Sequence, residues 1–129
     1  MQTLFLVEDN QDNADLIGDL VGSDYHLVCY PDAVSALGAL TQVGTSTPDL
    51  LLLDISLPGM DGATLLRHIR SHNRLKHIPA VALTAHAMKT EKDDLISAGF
   101  NAYLSKPITN EDLLFQTIRN QIVAASLCV

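Results

Sequence analysis

The chain has 129 residues and a formal net charge of −7, with 47% hydrophobic and only 5% aromatic residues. This length fits one domain spanning residues 1–129 and leaves little room for a second, and the apolar fraction is enough for an aliphatic core. The acidic balance argues against direct binding to nucleic acid or to an anionic membrane, because both need clustered Lys and Arg.

Short apolar runs alternate along the chain with segments whose apolar residues have helical spacing. Strands are predicted at 3–7, 25–30, 50–53, 79–83 and 102–104, each followed by a helix, at 10–21, 32–43, 62–72, 88–98 and 110–124. Asp32 is a favourable residue for the N-cap of the second helix, and Gly99 is suited to end the fourth. Five strand–helix repeats predict an α/β fold, with a parallel sheet covered by helices on both faces.

The cysteine count and the hydropathy of the chain indicate the cellular compartment in which the protein is expected. Cys29 and Cys128 are the only cysteines, too few for a disulfide scaffold, which favours a reducing environment. Met1 opens no signal-peptide pattern, and no apolar run approaches the roughly 20 residues needed to span a bilayer. We therefore expect a cytoplasmic protein without a membrane anchor.

Polar groups end four of the five predicted strands, in the order Glu8 and Asp9, Asp54, Thr84 and Lys106. The carboxyl ends of parallel strands meet at one edge of the sheet, where ligands bind in such folds. Three converging carboxylates disfavour one another's ionised forms unless a cation lies among them, and Mg²⁺ prefers oxygen ligands. In such a site Asp54 could attack phosphorus, while Lys106 and Thr84 would bind the phosphoryl oxygens.

The motifs at these strand ends resemble those of receiver domains of two-component response regulators over essentially the whole chain. They are Glu8-Asp9-Asn10, Asp54-Ile-Ser-Leu-Pro-Gly-Met-Asp-Gly62, Leu83-Thr84-Ala85 and Ser105-Lys106-Pro107. The resemblance implies a doubly wound, three-layer, flavodoxin-like domain with strand order 2-1-3-4-5.

The resemblance also implies a role for each site residue. Asp54 is the phosphoacceptor, and Thr84 and Lys106 complete the catalytic group. Thr84 and Tyr103 form the switch pair, and the Lys106–Pro107 peptide bond is cis. The expected ligands of Mg²⁺, with Mn²⁺ as an alternative ion, are Glu8, Asp9, Asp54 and the main-chain carbonyl of Ser56.

Partners follow from the same resemblance. A sensor histidine kinase or a histidine phosphotransfer protein donates the phosphoryl group, and the face built by the fourth helix, fifth strand and fifth helix then binds a downstream protein target. The expected chemistry is self-catalysed phosphorylation with slow autodephosphorylation, without substrate turnover, in a monomer or weak homodimer.

Two positions depart from the most familiar receiver pattern. Ser56 stands two residues after the acceptor, where amide or acidic side chains are common, and His86 stands two after Thr84. Both positions flank the path of a hydrolytic water. We hypothesise that His86 alters the lifetime of the phosphorylated state.

Other functions compatible with strand-end carboxylates fit the sequence less well. A small aspartate-nucleophile phosphatase would normally carry a second Asp where Ser56 stands, and it would need room for a cap domain. A flavin-binding electron carrier would place hydroxyls and amides, not Glu8 and Asp9, beside its phosphate. An interaction module without phosphorylation is disfavoured because all the expected site side chains are present.

Overall fold

The computed structural model describes residues 2–42, 47–57, 59–72, 74–85, 89–106, 108 and 110–127, without the side chains of 89–92, 126 and 127. All ten predicted elements are present. The strands are β1 (Thr3–Val7), β2 (His26–Tyr30), β3 (Leu50–Asp54), β4 (Ala80–Thr84) and β5 (Ala102–Ser105). The helices are α1 (Gln11–Val21), α2 (Ala33–Thr41), α3 (Gly62–Arg70), α4 (Lys89–Ala98) and α5 (Glu111–Leu127). No helix in the described part of the chain is both long and apolar enough to cross a bilayer.

The five strands form one parallel sheet in the order β2-β1-β3-β4-β5, as the resemblance implied. β3 and β4 are buried along their whole length, which explains their continuous apolar sequences. Both run one residue further than predicted and include Asp54 and Thr84. The ladder continues past them, because Ile55 N–H donates to the Leu83 carbonyl at 3.0 Å and Lys106 N–H donates to the Thr84 carbonyl at 2.8 Å.

Two apolar cores lie on opposite faces of the sheet, because successive strand side chains point to alternate faces. The first core packs α2, α3 and α4 against the sheet, and it includes Phe5, Val7, Ala36, Leu40, Leu51, Leu53, Leu65, Leu66, Ile69 and Leu95. The second core packs α1 and α5 against the other face, and it includes Leu4, Leu6, Ile17, Leu50, Leu52, Leu83, Leu114 and Ile118. This is the three-layer arrangement predicted from the strand–helix repeats.

Helix ends follow local side-chain chemistry. The carboxylate of Asp32 caps α2 by accepting the Ser35 amide at 2.7 Å, as the sequence predicted. Asp61 caps α3 in the same way through the Thr64 amide at 2.8 Å. Gly99 follows α4 with a φ of +111°, a conformation that L residues rarely adopt, which confirms its predicted role in ending that helix.

Replacing Asp61 by Ala is expected to destabilise the fold by about 1 kcal/mol at pH 7, because the Thr64 amide loses its acceptor. The Thr64 amide hydrogen bond also lowers the pKa of Asp61 below its ordinary 3.8. The capping stability is therefore fully present above pH 3.8 and is lost as the pH falls through the lowered folded value. Urea denaturation at pH 7 and pH 3 should show a difference between the two proteins that shrinks at acid pH.

The control for this prediction is Asp24→Ala, which removes an exposed carboxylate in the turn after α1. It should leave the free energy of unfolding nearly unchanged. A loss of stability for Asp61→Ala that stays constant down to pH 3 would contradict the capping explanation.

Candidate functional site

The predicted site residues converge at the carboxyl edge of the sheet. Glu8 follows β1, Asp54 and Thr84 end β3 and β4, and Lys106 follows β5. In the pairing of β3 with β4, Asp54 lies beside Leu83, so these two strands end within one residue of each other. β2 contributes no charged group to this cluster and lies at the margin of the sheet.

Lys106 bridges two buried carboxylates. Its Nζ lies 3.0 Å from Asp54 Oδ2 and 3.3 Å from Glu8 Oε2. The side chains of Asp54 and Glu8 are only 2% and 1% exposed, whereas that of Lys106 is 16% exposed. Buried carboxylates are tolerable only when they are paired and hydrogen-bonded. The ammonium group therefore holds the first and third strand ends together electrostatically.

Backbone amides fix the orientation of both buried acids. Asp54 Oδ1 accepts the Ser56 amide at 3.0 Å, which leaves Oδ2 directed to Lys106. Glu8 Oε1 accepts the Asn10 amide at 3.3 Å. Each carboxylate thus has one oxygen on the backbone and the other on the ammonium group. Ser56 is placed beside the acceptor by its amide, while the role of its carbonyl as a metal ligand stays a prediction.

The three acids that were predicted to hold a cation are close together. One carboxylate oxygen from each of Glu8, Asp9 and Asp54 lies within 4.8 Å of the others, and Asp9 is exposed at the mouth of the cluster. One ammonium cannot balance three ionised carboxylates. The donor set, which consists only of oxygens and carries excess negative charge, fits a hard divalent cation such as Mg²⁺ or Mn²⁺.

The pKa shifts of Glu8 and Lys106 reflect the excess of negative charge in the cluster. Burial raises the pKa of Glu8, and repulsion from Asp54 raises it further, while Lys106 acts in the opposite direction. For Lys106, burial is the largest influence and works against the charge. Hydrogen bonding and attraction from Asp54 and Glu8 together outweigh it, so that its pKa is raised. The lysine therefore remains an ammonium at neutral pH, and the cluster favours added positive charge.

Gly62 brings the start of α3 against the end of β3. A Cβ at this position would lie 2.4 Å from the Asp54 carbonyl oxygen, and the Gly62 amide donates to the Ile55 carbonyl at 3.1 Å. The sequence placed Gly62 at the end of the motif that begins with Asp54 and as the first residue of a helix, but it did not predict this contact. This close approach determines how α3 abuts the acceptor strand.

Gly62→Ala is expected to destabilise the protein by about 1–3 kcal/mol, because the new methyl must displace the backbone of β3 or α3. The same displacement should slow phosphorylation of the chain by a small-molecule donor. Chemical denaturation and the rate of phosphoryl incorporation measure the two effects.

The matched control is Gly38→Ala in α2, where a Cβ would meet nothing within 4 Å. That exchange should stabilise the helix by about 0.5–1 kcal/mol and leave phosphorylation unchanged. If Gly62→Ala behaves like Gly38→Ala, the close contact with Asp54 has no energetic importance.

The remaining predicted residues have different outcomes. Thr84 is buried at the end of β4, and Tyr103 is half-buried in β5, where it packs against the first core. Their roles as a switch pair stay predictions. Pro107 and His86 lie outside the described residues, so the cis peptide bond and the effect of His86 on phosphoryl lifetime also stay predictions.

Comparison with known proteins agrees with this geometry. The family model for the response regulator receiver domain matches residues 4–119. The polar-differentiation response regulator DivK of Brucella ovis is 37% identical over 109 residues, which span 84% of this chain and 86% of that protein.

Two solved structures extend the comparison to three dimensions. The receiver domain of the sensor histidine kinase PA1611 from Pseudomonas aeruginosa has a magnesium ion coordinated in its active-site cleft. It matches with a TM-score of 0.81 and 32% identity, over 94% of this chain and 97% of that one. The Mn²⁺-bound response regulator Rcp1 matches with a TM-score of 0.76 and 29% identity, over 93% and 91% of the two chains.

The sequence match, the fold and the strand-end cluster lead to one assignment. The family model covers most of the chain, and the strand order 2-1-3-4-5 is the one that the resemblance implied. Receiver domains are signalling proteins and not classical enzymes, so a small phosphatase is not favoured. The chain belongs to the response regulator receiver domains of two-component signalling systems.

Proposed function

We propose that the chain accepts a phosphoryl group on Asp54 in a reaction that depends on Mg²⁺. The observation that carries this proposal is the environment of the Asp54 side chain. It is buried, it is held by Lys106 and the Ser56 amide, and it lies within 4.8 Å of carboxylate oxygens from Glu8 and Asp9. Carboxylates so placed act as nucleophiles toward phosphorus in aspartyl-phosphate chemistry.

Each neighbouring residue has a part in this proposal. Glu8, Asp9, Asp54 and the Ser56 carbonyl would hold Mg²⁺ or Mn²⁺, which when bound neutralises charge on phosphoryl oxygens. Lys106 would exchange part of its contact with Asp54 for a phosphoryl oxygen. Thr84, at the end of the adjacent strand, would donate its hydroxyl to another such oxygen.

The proposed consequence is a change in the surface formed by α4, β5 and α5. The phosphoryl group would carry roughly −1.5 to −2 charges and three acceptor oxygens, in place of the single charge of the Asp54 carboxylate. Thr84 would move towards these oxygens and Tyr103 would follow, which biases a two-state equilibrium. A sensor histidine kinase or a histidine phosphotransfer protein would supply the phosphoryl group, and a downstream protein would bind the changed surface.

The compartment, the oligomeric state and the domain boundaries also remain part of the proposal. The small number of cysteines supports a reducing cytoplasm. The chain would act as a monomer or weak homodimer. The treatment of residues 1–129 as a single unit stays a prediction.

The decisive experiment incubates the protein with acetyl phosphate, with Mg²⁺ or with a chelator, and follows the intact mass. One phosphoryl group should be added only in the presence of the cation, and it should be lost slowly by hydrolysis. In parallel, a chromogenic phosphomonoester distinguishes a receiver from a phosphatase, because a receiver should give no sustained turnover. Absence of any phosphoryl adduct across a range of donors would reject the proposal.

A further inference from the structure

Arg70, the last residue of α3, makes four hydrogen bonds without a carboxylate among its acceptors. Its Nη1 donates to the carbonyls of Lys76, at 3.0 Å, and Ile78. Its Nη2 donates to the Gly99 carbonyl at 3.2 Å and to Asn101 Oδ1 at 3.1 Å. One planar guanidinium therefore ties the end of α3 to the loop before β4 and to the junction between α4 and β5.

The acceptors of Arg70 are themselves connected to the sheet. Asn101 Oδ1 also accepts the amide of Ala80 at 2.9 Å, and the Asn101 amide donates to the Ala80 carbonyl at 2.8 Å. Gly99 has a φ of +111°. Its carbonyl accepts a hydrogen bond from Arg70, and its amide donates to the Ile96 carbonyl at 3.1 Å. The C-terminal end of α4 is thus attached to the first residue of β4.

This attachment is more than a surface contact of a flexible side chain. The guanidinium is partly buried, and burial lowers the pKa of Arg70. Arginine's fork loses less conformational freedom per hydrogen bond than a lysine would, which suits it to several fixed carbonyls at once. The charge remains, so each contact is a charge-assisted hydrogen bond.

The packing beneath α4 is looser. Of the side chains of α4 that the structure describes, at 93–98, only Leu95 is buried. A half-open pocket with a volume of about 220 Å³ lies against the inner side of the helix, lined by Ile55, Ala63, Thr84, Asp94, Leu95 and Ala98. The inner side of α4 is therefore not packed continuously against the sheet.

Arg70 holds the C-terminal end of α4, and the pocket underlies the helix from Asp94 to Ala98. The helix has 10 residues and runs from the site edge of the sheet, where Thr84 ends β4, to the opposite edge, where Arg70 holds Gly99. At 1.5 Å per residue it is about 15 Å long. A small rotation about the held end thus produces the largest displacement next to Thr84.

We propose that Arg70 is a positioning residue that makes the C-terminal end of α4 a fixed pivot for the conformational switch. Changes at Thr84 then tilt the site-proximal end of the helix, while Gly99 to Asn101 stay in place. This proposal rests on the proposed function, since it assigns the response of α4 to the same phosphoryl site.

The test measures native-state amide hydrogen exchange by NMR, with and without Mg²⁺ and beryllofluoride as a phosphoryl mimic. In the wild-type protein alone, amides at 99–101 should exchange at least about tenfold more slowly than those at 93–95. Beryllofluoride should change exchange and chemical shifts most in the first turns of α4 and least at 99–101.

Arg70→Met keeps the apolar stem and removes all four hydrogen bonds. It should speed exchange at 99–101 and extend the beryllofluoride response to those residues, and Arg70→Lys should lie between the two. The matched control is Arg74→Met, because the described hydrogen bond of the Arg74 guanidinium goes to the Leu40 carbonyl near the end of α2. It should leave the gradient along α4 unchanged.

Two results would overturn the pivot. One is equal exchange at both ends of α4 in the wild-type protein. The other is an Arg70→Met protein that is less stable but keeps the wild-type gradient, since Arg70 would then be structural only. A missing beryllofluoride response at Asp54 and Thr84 would instead count against the proposed function, and the exchange gradient without ligand would still decide the question of the pivot.

Discussion

Asp54→Asn is expected to abolish phosphorylation by acetyl phosphate while leaving the protein folded. The amide preserves the shape of the side chain and an oxygen for the Ser56 amide, but it is not a nucleophile toward phosphorus. Lys106 keeps its contact with Glu8, so no buried ammonium is left without a partner. Intact mass and phosphate-affinity electrophoresis should show no adduct, and circular dichroism should be that of the wild type.

The matched control for this variant is Asp24→Asn, which changes an exposed carboxylate in the turn between α1 and β2. It should be phosphorylated at the wild-type rate. A phosphoryl adduct on Asp54→Asn, at a rate like that of the control, would place the acceptor elsewhere. The variant should also lower the pKa of Glu8, because the charge of Asp54 is one of the influences that raise it.

Lys106→Met should cause the largest loss of stability among these variants, about 3–5 kcal/mol in the absence of divalent cations. It removes the ammonium that lies 3.0 Å from Asp54 and 3.3 Å from Glu8, and it leaves two almost fully buried carboxylates facing each other. Guanidinium denaturation with a chelator present measures this loss. Phosphorylation should also be strongly reduced, since the phosphoryl oxygens lose a cationic partner.

Added Mg²⁺ should stabilise Lys106→Met more than it stabilises the wild type, because the cation then has no ammonium competing for the same oxygens. Binding to the folded state alone raises stability with the logarithm of ligand concentration. Lys76→Met, which changes an exposed lysine in the loop before β4, should show the wild-type response to Mg²⁺. An equal gain in all three proteins would mean that the cation does not bind among these carboxylates.

Much of the fold was predictable because local and global signals agree. The apolar runs at 50–53 and 79–83 are continuous since β3 and β4 are buried on both faces, and Gly99 marks the end of α4 through its backbone angle. The rule that ligands bind at the carboxyl ends of parallel strands predicts that Glu8, Asp54 and Lys106 meet at one edge of the sheet. These inferences need only periodicity and the direction of the strands.

The features that escaped prediction depend on distances between segments far apart in the sequence. Arg70 looks like an ordinary basic residue in the last turn of a helix, where it suits the helix dipole. Its hydrogen bonds to Gly99 and Asn101 span about thirty positions, and no spacing rule signals them. The contact of Gly62 with the Asp54 backbone is likewise a consequence of packing, because any small residue would satisfy the local pattern.

The separation of the two apolar cores has a consequence for recognition. α4 rests on the first core, whereas α1 rests on the second, on the opposite face of the sheet. A rearrangement of α4 need not disturb any side chain beneath α1. A protein that docks on α1 would therefore encounter the same surface before and after signalling, and only partners that touch the surface formed by α4, β5 and α5 could distinguish the two forms.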